Sequence, residues 1–285
     1  MPSQVSQITV LSPGLLGSSV ARAVRARGMA KRIVVWAHRP ERRKEISRQP
    51  WCDSVAETPE EAVKDATLVV LAAPVDFIVP LAAQIAPHLR EGAIVTDVGS
   101  VKGPICRKAH AATGSNGYFV GSHPMAGSEK TSWEHGTPDF FEGKTCFVTP
   151  LEETAPAAVS AVAGFWKHLG MAVTVVNPDK HDEIVGMISH LPMVLASTLS
   201  LLMSRKDLAW RGYAGGGLRD TTRIAASDPR IWKPILELNR SVVLDSIKEF
   251  QNELKSLEVS IARGDWDKVV ASLERAKAYR DGFKA

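Results

Sequence analysis

A histidine flanked by small and polar residues is the first group in this chain that could do chemistry. Residues 121–130 read GSHPMAGSEK, which combines the imidazole of His123 with a proline, two small residues and a Ser-Glu-Lys run. An imidazole changes its charge near neutral pH, so a loop that presents one to a ligand can provide a general base. A His-Pro pair also occurs in purely structural turns, and the spacing alone leaves both interpretations open.

A serine and a lysine follow a predicted strand further upstream. Residues 93–97 form the apolar run AIVTD, and the segment DVGSVKG begins at its last residue, Asp97. Ser100 and Lys102 would therefore lie at the carboxyl end of a strand, which is the edge where open α/β sheets bind ligands. The pattern predicts a polar site at this edge.

The elements that must position these groups begin with a strand, a glycine turn and a helix. Residues 7–11 (QITVL) predict a buried strand, the turn SPGLLG at 12–17 leads into a helix, and residues 32–36 (RIVVW) predict a second strand. This order is the opening unit of a dinucleotide-binding fold. Gly14 would let the backbone approach a pyrophosphate, and Gly17 would let the helix pack on the strand.

The predicted cofactor contacts include this turn and the ends of the neighbouring strands. The first glycine of the usual pattern is Ser12 here, and the second strand is followed by His38 and Arg39, with no acidic residue before Glu41. NAD-selective folds place an acid at this point, whereas a guanidinium suits the 2′-phosphate of NADP. We therefore expect NADP, with NAD as the alternative; a solvated basic face is the structural alternative for Arg39. The predicted contacts are Ser12, Gly14, Leu15, Leu16, Gly17, His38, Arg39, Ala73, Pro74 and Asp97.

Strand-like runs stop at Asn177, and the pattern is helical from there onward. We predict an α/β, Rossmann-type dinucleotide-binding domain at 1–176 and an all-α domain for substrate binding and dimerisation at 177–285. Residues 184–203 carry no formal charge and are long enough to cross a bilayer, but their Ser, Thr, His and Pro residues favour a helix buried in protein. Together with an amphipathic stretch at 232–257, this segment predicts a homodimer formed through the helical domains.

Composition excludes several classes of partner. The 285 residues have a net charge of +4, and the basic residues are dispersed, which does not indicate a nucleic-acid-binding protein. The three cysteines show no CxxC spacing, so we expect reduced thiols and no metal site. The polar start of the chain shows no signal peptide, and we expect a cytoplasmic protein without membrane contact.

Several blocks in this order resemble the prephenate/arogenate dehydrogenases of tyrosine biosynthesis over nearly the whole chain. These blocks are SPGLLG at 12–17, DVGSVKG at 97–103, HPMAGSEK at 123–130, FFEGK at 140–144, HDEIV at 181–185, SHLP at 189–192 and GGGLRDTTRIA at 215–225. The resemblance implies an NAD(P)-dependent oxidative decarboxylation of prephenate to 4-hydroxyphenylpyruvate, or of arogenate to tyrosine as the alternative.

The resemblance also implies roles for individual residues. His123 would accept a hydrogen bond or proton from the ring 4-hydroxyl of the substrate, and Ser100 would hold that hydroxyl or the imidazole in place. Arg223 would pair with a substrate carboxylate, and His190 would orient the substrate from the helical domain. The remaining predicted substrate-pocket residues are Glu129 and Lys130.

His181 is a weaker candidate for the same site. Nine residues separate it from His190, which on a straight helix places the two rings half a turn apart. Only a bend at Pro192 would bring both rings to one side, and a simple pairing of His181 with Asp182 is the alternative. Met193 departs from the family, since many members carry a second histidine after the SHLP block. This departure leaves the choice between prephenate and arogenate open.

Two rival functions remain to be separated from this one. The β-hydroxyacid dehydrogenases also join a dinucleotide domain to a helical one, but they use a lysine base, and no lysine occurs in 184–203. A non-catalytic NADP-binding redox sensor would keep the glycine turn but would have no reason to keep Ser100, His123 and Arg223 together.

Overall fold

A computed structural model describes residues 4–114, 116–127 and 132–283. The N-terminal part is built on a six-stranded sheet in the order β3-β2-β1-β4-β5-β6, in which every neighbouring pair is parallel. The strands are β1 Val5–Leu11, β2 Ala30–Trp36, β3 Ser54–Val55, β4 Leu68–Leu71, β5 Ala93–Asp97 and β6 Gly117–Phe119. The helices between and after them are α1 Leu15–Ala26, α2 Pro40–Ile46, α3 Pro59–Val63, α4 Val75–Ile85, α5 Gly103–Thr113 and α6 Pro156–His168.

Helices cover both faces of this sheet. One apolar cluster joins β1 and β2 to α1 and α6, with Phe141, Phe165 and Trp166 among its fully buried side chains. The other joins β4 and β5 to α4 and α5, with Ile78 and Ile85 at its centre. Because a parallel sheet covered on both faces has apolar residues on both sides of each strand, the continuous apolar runs in the sequence indicate these strands directly. The predicted Rossmann-type fold is confirmed.

A second, three-stranded sheet follows the first in the chain. It consists of β7 Gly121–Pro124, β8 Thr145–Thr149 and β9 Ala172–Val175, with β7 antiparallel and β9 parallel to β8. Gly121 allows β7 to run close to its neighbours, since a Cβ at this position would lie 2.4 Å from the Cys106 sulfur. The Ser122 N–H of β7 donates to the Asp97 carboxylate at 3.1 Å, so β7 lies beside the carboxyl end of β5.

The remainder of the described chain is helical. Its helices are α7 Pro178–Val185, α8 Leu191–Ser204, α9 Gly216–Thr222, α10 Pro229–Leu238, α11 Arg240–Ala262 and α12 Trp266–Asp281. Asn177 caps α7, since its side-chain oxygen accepts a hydrogen bond from the Lys180 N–H at 2.7 Å. A π-helical turn, Gly186–His190, joins α7 to α8.

The continuous helix Pro178–Ser204 is long and apolar enough to cross a membrane by length and composition, and a third of its most apolar window is buried. Its first half is fixed to the nucleotide domain, because the Asp182 carboxylate accepts from backbone N–H groups of that domain. Its second half exposes Leu201 and Leu202 beside other exposed apolar side chains of the helical region. The hydrogen bonds of the first half favour a helix that packs against protein.

Candidate active site

His123 lies on strand β7 rather than on the loop that the sequence predicted. It is directly opposite Phe147 of β8, and it is only partly exposed. The stretch GSHP has no strand-like alternation, so the strand forms because β8 offers it a partner. A strand fixes the imidazole more firmly than a loop would, and its partial exposure leaves it accessible to a ligand.

A chain of hydrogen bonds runs from His123 into the helical domain. The Nδ1 atom of His123 lies 2.9 Å from Nε2 of His181, and Nδ1 of His181 lies 2.8 Å from Oδ1 of Asp182. His181 is fully buried, and its ring meets that of Phe147 edge-to-face with 5.3 Å between centroids. The sequence ranked His181 below His190, and the structure brings His181 into direct contact with His123.

Asp182 determines which atoms donate and which accept in this hydrogen-bond chain. Its two carboxylate oxygens accept hydrogen bonds from the backbone N–H groups of Lys102 at 2.7 Å and Gly103 at 2.8 Å. A carboxylate surrounded by donors acts as an acceptor only, so the neighbouring His181 Nδ1 carries a proton. Neutral His181 then accepts at Nε2, and His123 donates from Nδ1. The free lone pair of His123 is therefore on Nε2.

The imidazoles of this site are held neutral. Burial, followed by the neighbouring His181, Lys102 and His190, holds the pKa of His123 well below its ordinary value. Burial also lowers the pKa of His181, and this outweighs the hydrogen bond to Asp182, which acts in the opposite direction. A neutral His123 can accept a proton, as a general base requires.

Lys102 and Asp97 form a fully buried ion pair beneath these groups. The Lys102 ammonium also donates to the Ser122 carbonyl at 3.0 Å, and the Asp97 carboxylate accepts from the N–H groups of Gly99 and Ser122. The sequence suggested that Lys102 faces a ligand and that Asp97 contacts the cofactor. Both side chains instead pair with each other in the interior, where each charge offsets the burial cost of the other.

The π-helical turn explains how His181 and His190 reach the same region. Nine α-helical steps would place their rings about 180° apart, whereas one extra residue in the turn reduces the offset to about 80°. Gly186 begins this turn, and a Cβ there would lie 2.4 Å from a methyl group of Val242 on α11. The sequence predicted that a bend at Pro192 would bring the two rings to one side. In the structure a π turn that ends before the proline does so instead.

His190 is almost fully buried in the helical domain. Burial lowers its pKa to about 4, and its ring meets that of Trp232 edge-to-face at 6.0 Å. Its Nδ1 atom lies 3.1 Å from the side-chain nitrogen of Asn239. Asn239 is not predictable from the sequence, because a lone asparagine in a helical stretch carries no signal of such a contact.

Of the other predicted site residues, the structure describes Ser100 and Arg223. Ser100 is half-buried just beyond β5, and its hydroxyl has no hydrogen-bond partner among the described residues. Arg223 is exposed in a short 3₁₀ turn that packs mainly on α8 and α9, and the structure does not bring it into contact with His123. Glu129 and Lys130 lie outside the described residues.

The predicted pyrophosphate turn has the geometry that a dinucleotide needs. Ser12 has a φ of 62°, in the left-handed region that explains why glycine is usual at this place. Gly14 is the N-cap of α1, and a Cβ added there would meet nothing within 4 Å. A Cβ on Gly17 would lie 2.7 Å from the Ala72 side chain. The turn therefore combines open space above a helix N-terminus with tight helix–strand packing, and it fits the group.

The groups that would meet the adenosine end lie at the same sheet edge. His38 and Arg39 are exposed directly after β2, and Ala73 and Pro74 follow β4 and lead into α4. Leu15 and Leu16 form the first turn of α1. In this part of the structure Arg39 makes no ion pair with a described residue. Two nearby arginines are already engaged, Arg42 with Glu134 at 2.8 Å and Arg43 with Glu57 at 3.1 Å.

Comparison with known proteins gives the same assignment over nearly the whole chain. Residues 20–175 match the family model for the nucleotide-binding domain of prephenate dehydrogenase, and residues 177–275 match that for its dimerization domain. A cyclohexadienyl dehydrogenase from Zymomonas mobilis is 30% identical over 281 residues, which cover 97% of this chain and 96% of that protein.

Two solved structures are also similar. Prephenate dehydrogenase from Aquifex aeolicus, crystallised with hydroxyphenyl propionate and NAD+, superposes with a TM-score of 0.92 at 29% identity and covers 98% of this chain and 99% of its own. Arogenate dehydrogenase from Synechocystis gives a TM-score of 0.86 at 26% identity, with 96% of this chain and 99% of its own covered.

Proposed function

Because the chain belongs to the prephenate dehydrogenase family and is thus an oxidoreductase, we propose that it oxidatively decarboxylates prephenate to 4-hydroxyphenylpyruvate. The observation that carries this proposal is the hydrogen-bond chain from Asp182 through His181 to His123. It leaves a neutral imidazole on a partly exposed strand, and its Nε2 lone pair accepts from no described residue. This atom suits the 4-hydroxyl group of a cyclohexadienol.

The proton chemistry follows from that lone pair. His123 accepts the hydroxyl proton at Nε2 while hydride leaves the carbon that bears the hydroxyl. The C–C bond to the ring carboxylate then breaks, CO2 departs, and its electron pair makes the ring aromatic. The proton returns from His123 to the phenol oxygen, so the reaction needs no net proton. Aromatisation drives the step, and the protein's contribution is to position the groups and polarise the hydroxyl.

The hydride acceptor in this proposal is a nicotinamide dinucleotide, which supplies the redox chemistry when bound. Gly14, Gly17 and the N-terminus of α1 would hold its pyrophosphate. The exposed Arg39, together with the absence of an acid after β2, supports NADP over NAD. The NAD+ in the Aquifex aeolicus structure supports a nicotinamide dinucleotide as the cofactor class, and it favours NAD, the alternative to NADP.

Arogenate is the second candidate substrate. It differs from prephenate in the side chain, where an ammonium replaces the keto group. Met193, nearly buried in the first turn of α8, stands where many family members carry a histidine that could bind that side chain. A thioether is at most a weak hydrogen-bond acceptor, so the keto group of prephenate would lose a donor at this position. This observation favours arogenate, and Arg223 remains the predicted partner of the substrate carboxylates.

A cytoplasmic homodimer completes the proposal. The helical domain exposes apolar side chains that include Trp210, Leu254 and Leu273, and its family model describes a dimerization domain. Burying this surface between two copies would remove it from water. Light scattering should give twice the chain mass at micromolar concentration, and a monomer mass would contradict the dimer.

The experiment that tests the function is a steady-state assay of reduced-nicotinamide formation with four mixtures, prephenate or arogenate with NAD or NADP. We expect turnover with NADP preferred over NAD, and a higher kcat/KM for prephenate than for arogenate would support the first candidate. A higher kcat/KM for arogenate would select the second candidate. No turnover in any mixture would contradict both and would favour the non-catalytic NADP-binding protein.

A further inference from the structure

Asn239 occupies a constrained position between two helices of the helical domain. It lies between α10 and α11 and is 3% exposed. Its backbone N–H donates to the Ile235 carbonyl, and its carbonyl accepts from the Val243 N–H, each at 3.0 Å. Because both backbone groups are engaged, the side chain projects from a fixed point.

The contacts of the Asn239 side chain determine which way its amide faces. Its nitrogen lies 3.0 Å from the backbone carbonyl oxygen of Asp182 and 3.1 Å from Nδ1 of His190. A carbonyl oxygen can only accept, so the NH₂ group of the amide must face it. The second hydrogen of the same NH₂ group then points at His190, and Nδ1 of His190 must supply a lone pair.

We propose that Asn239 is a positioning residue that holds neutral His190 as the tautomer protonated on Nε2, so that this ring donates a hydrogen bond to a carboxylate or carbonyl oxygen of the substrate. The inference deepens the proposed function and rests on it for the identity of the acceptor. The structure thereby assigns opposite roles to the two histidines: His123 accepts at Nε2, and His190 donates from Nε2.

Asp182 determines the tautomers of both His123 and His190. The side chain of Asp182 sets the tautomer of His181 and hence of His123, while its backbone carbonyl sets the amide of Asn239 and hence the tautomer of His190. The titratable groups that face His190 are Asp182, which favours its protonation, His181, which opposes it, and His123, whose own pKa His190 helps to lower. Burial dominates, so the ring stays neutral at neutral pH. A substrate with a hydroxyl at one end and an anionic or carbonyl oxygen at the other matches this donor–acceptor pair.

The first test is the nitrogen NMR spectrum of the ligand-free wild-type protein, in which long-range proton–nitrogen correlations identify the tautomer of each histidine. We expect His190 with its proton on Nε2 and an unprotonated Nδ1. A His190 with its proton on Nδ1 would overturn the inference. This measurement needs no substrate. If the protein shows the expected tautomer but no turnover, only the proposed function is rejected.

The second test is the pH dependence of KM in Asn239→Asp. A carboxylate at 239 accepts from Nδ1, so neutral His190 would lose its Nε2 proton, and only the imidazolium form would still donate there. The KM for the substrate should then rise roughly 10-fold or more above the new pKa of His190, whereas the wild-type KM stays flat from pH 6 to 9. Asn252→Asp, on the exposed face of α11, makes the same chemical change away from the site and should match the wild type. A flat KM profile in folded Asn239→Asp would overturn the inference.

Discussion

Replacing His181 with leucine tests the hydrogen-bond chain behind the proposed base. The substitution removes the acceptor that lies 2.9 Å from His123 Nδ1 and leaves that N–H without a partner. An unpaired buried donor costs about 1–3 kcal/mol, and this cost falls on the productive tautomer only. His123 should therefore shift toward the form protonated on Nε2, which cannot accept the substrate proton. We expect kcat to fall roughly 5- to 150-fold while KM changes little.

Three measurements separate this effect from a loss of structure. Thermal unfolding shows whether the variant is folded, since His181 is fully buried and its loss also costs stability. His181→Gln keeps a side-chain oxygen that can accept from His123, so it should recover much of kcat. His88→Leu, on the exposed surface, makes the same chemical change away from the site. An unchanged kcat in folded His181→Leu would refute the tautomer argument.

Three further predictions concern the turn, the cofactor and acid stability. Gly17→Ala should destabilise the fold by about 1–3 kcal/mol in urea unfolding, because its Cβ would lie 2.7 Å from Ala72. Gly14→Ala should cost less stability, because its Cβ would meet nothing within 4 Å, and it should raise the KM of the cofactor. Arg39→Ala should raise the KM for NADP roughly 10-fold or more with little change for NAD, and an equal change for both would reject the 2′-phosphate contact. The pKa of His190 is about 4 in the folded protein, whereas an ordinary histidine, as in the unfolded chain, has a pKa of 6.5. As the pH falls, the unfolded chain therefore takes up the proton first. Stability should drop by about 2 kcal/mol from pH 7 to pH 5, and His190→Gln should lose that part of the drop.

The strands of the nucleotide domain could be predicted because burial on both faces leaves an uninterrupted apolar run. The runs at 93–97 and 32–36 coincide with strands or lie within them. The glycine turn could also be predicted, because α1 packs so closely on Ala72 that only glycine fits at position 17. In each case the signal is local in the sequence and has one physical cause.

The interior of the site could not be predicted in the same way, because it depends on contacts between distant segments. His123 is on a strand only because β8 pairs with it, and Lys102 is buried only because Asp97 and Ser122 receive its ammonium. The π turn that directs His181 depends on the packing of Gly186 against α11. The glycine within a helical run was the one available signal, and it could not reveal the direction of the turn.

The most direct test of the central claim is the kcat of His123→Asn with prephenate and its preferred dinucleotide. Asparagine keeps a polar side chain of similar reach but cannot take up a proton. The proposed role of His123 as the base predicts a kcat lower by roughly 10²–10⁴-fold, with the variant still folded and still binding the dinucleotide. A kcat equal to that of the wild type would contradict the role of His123.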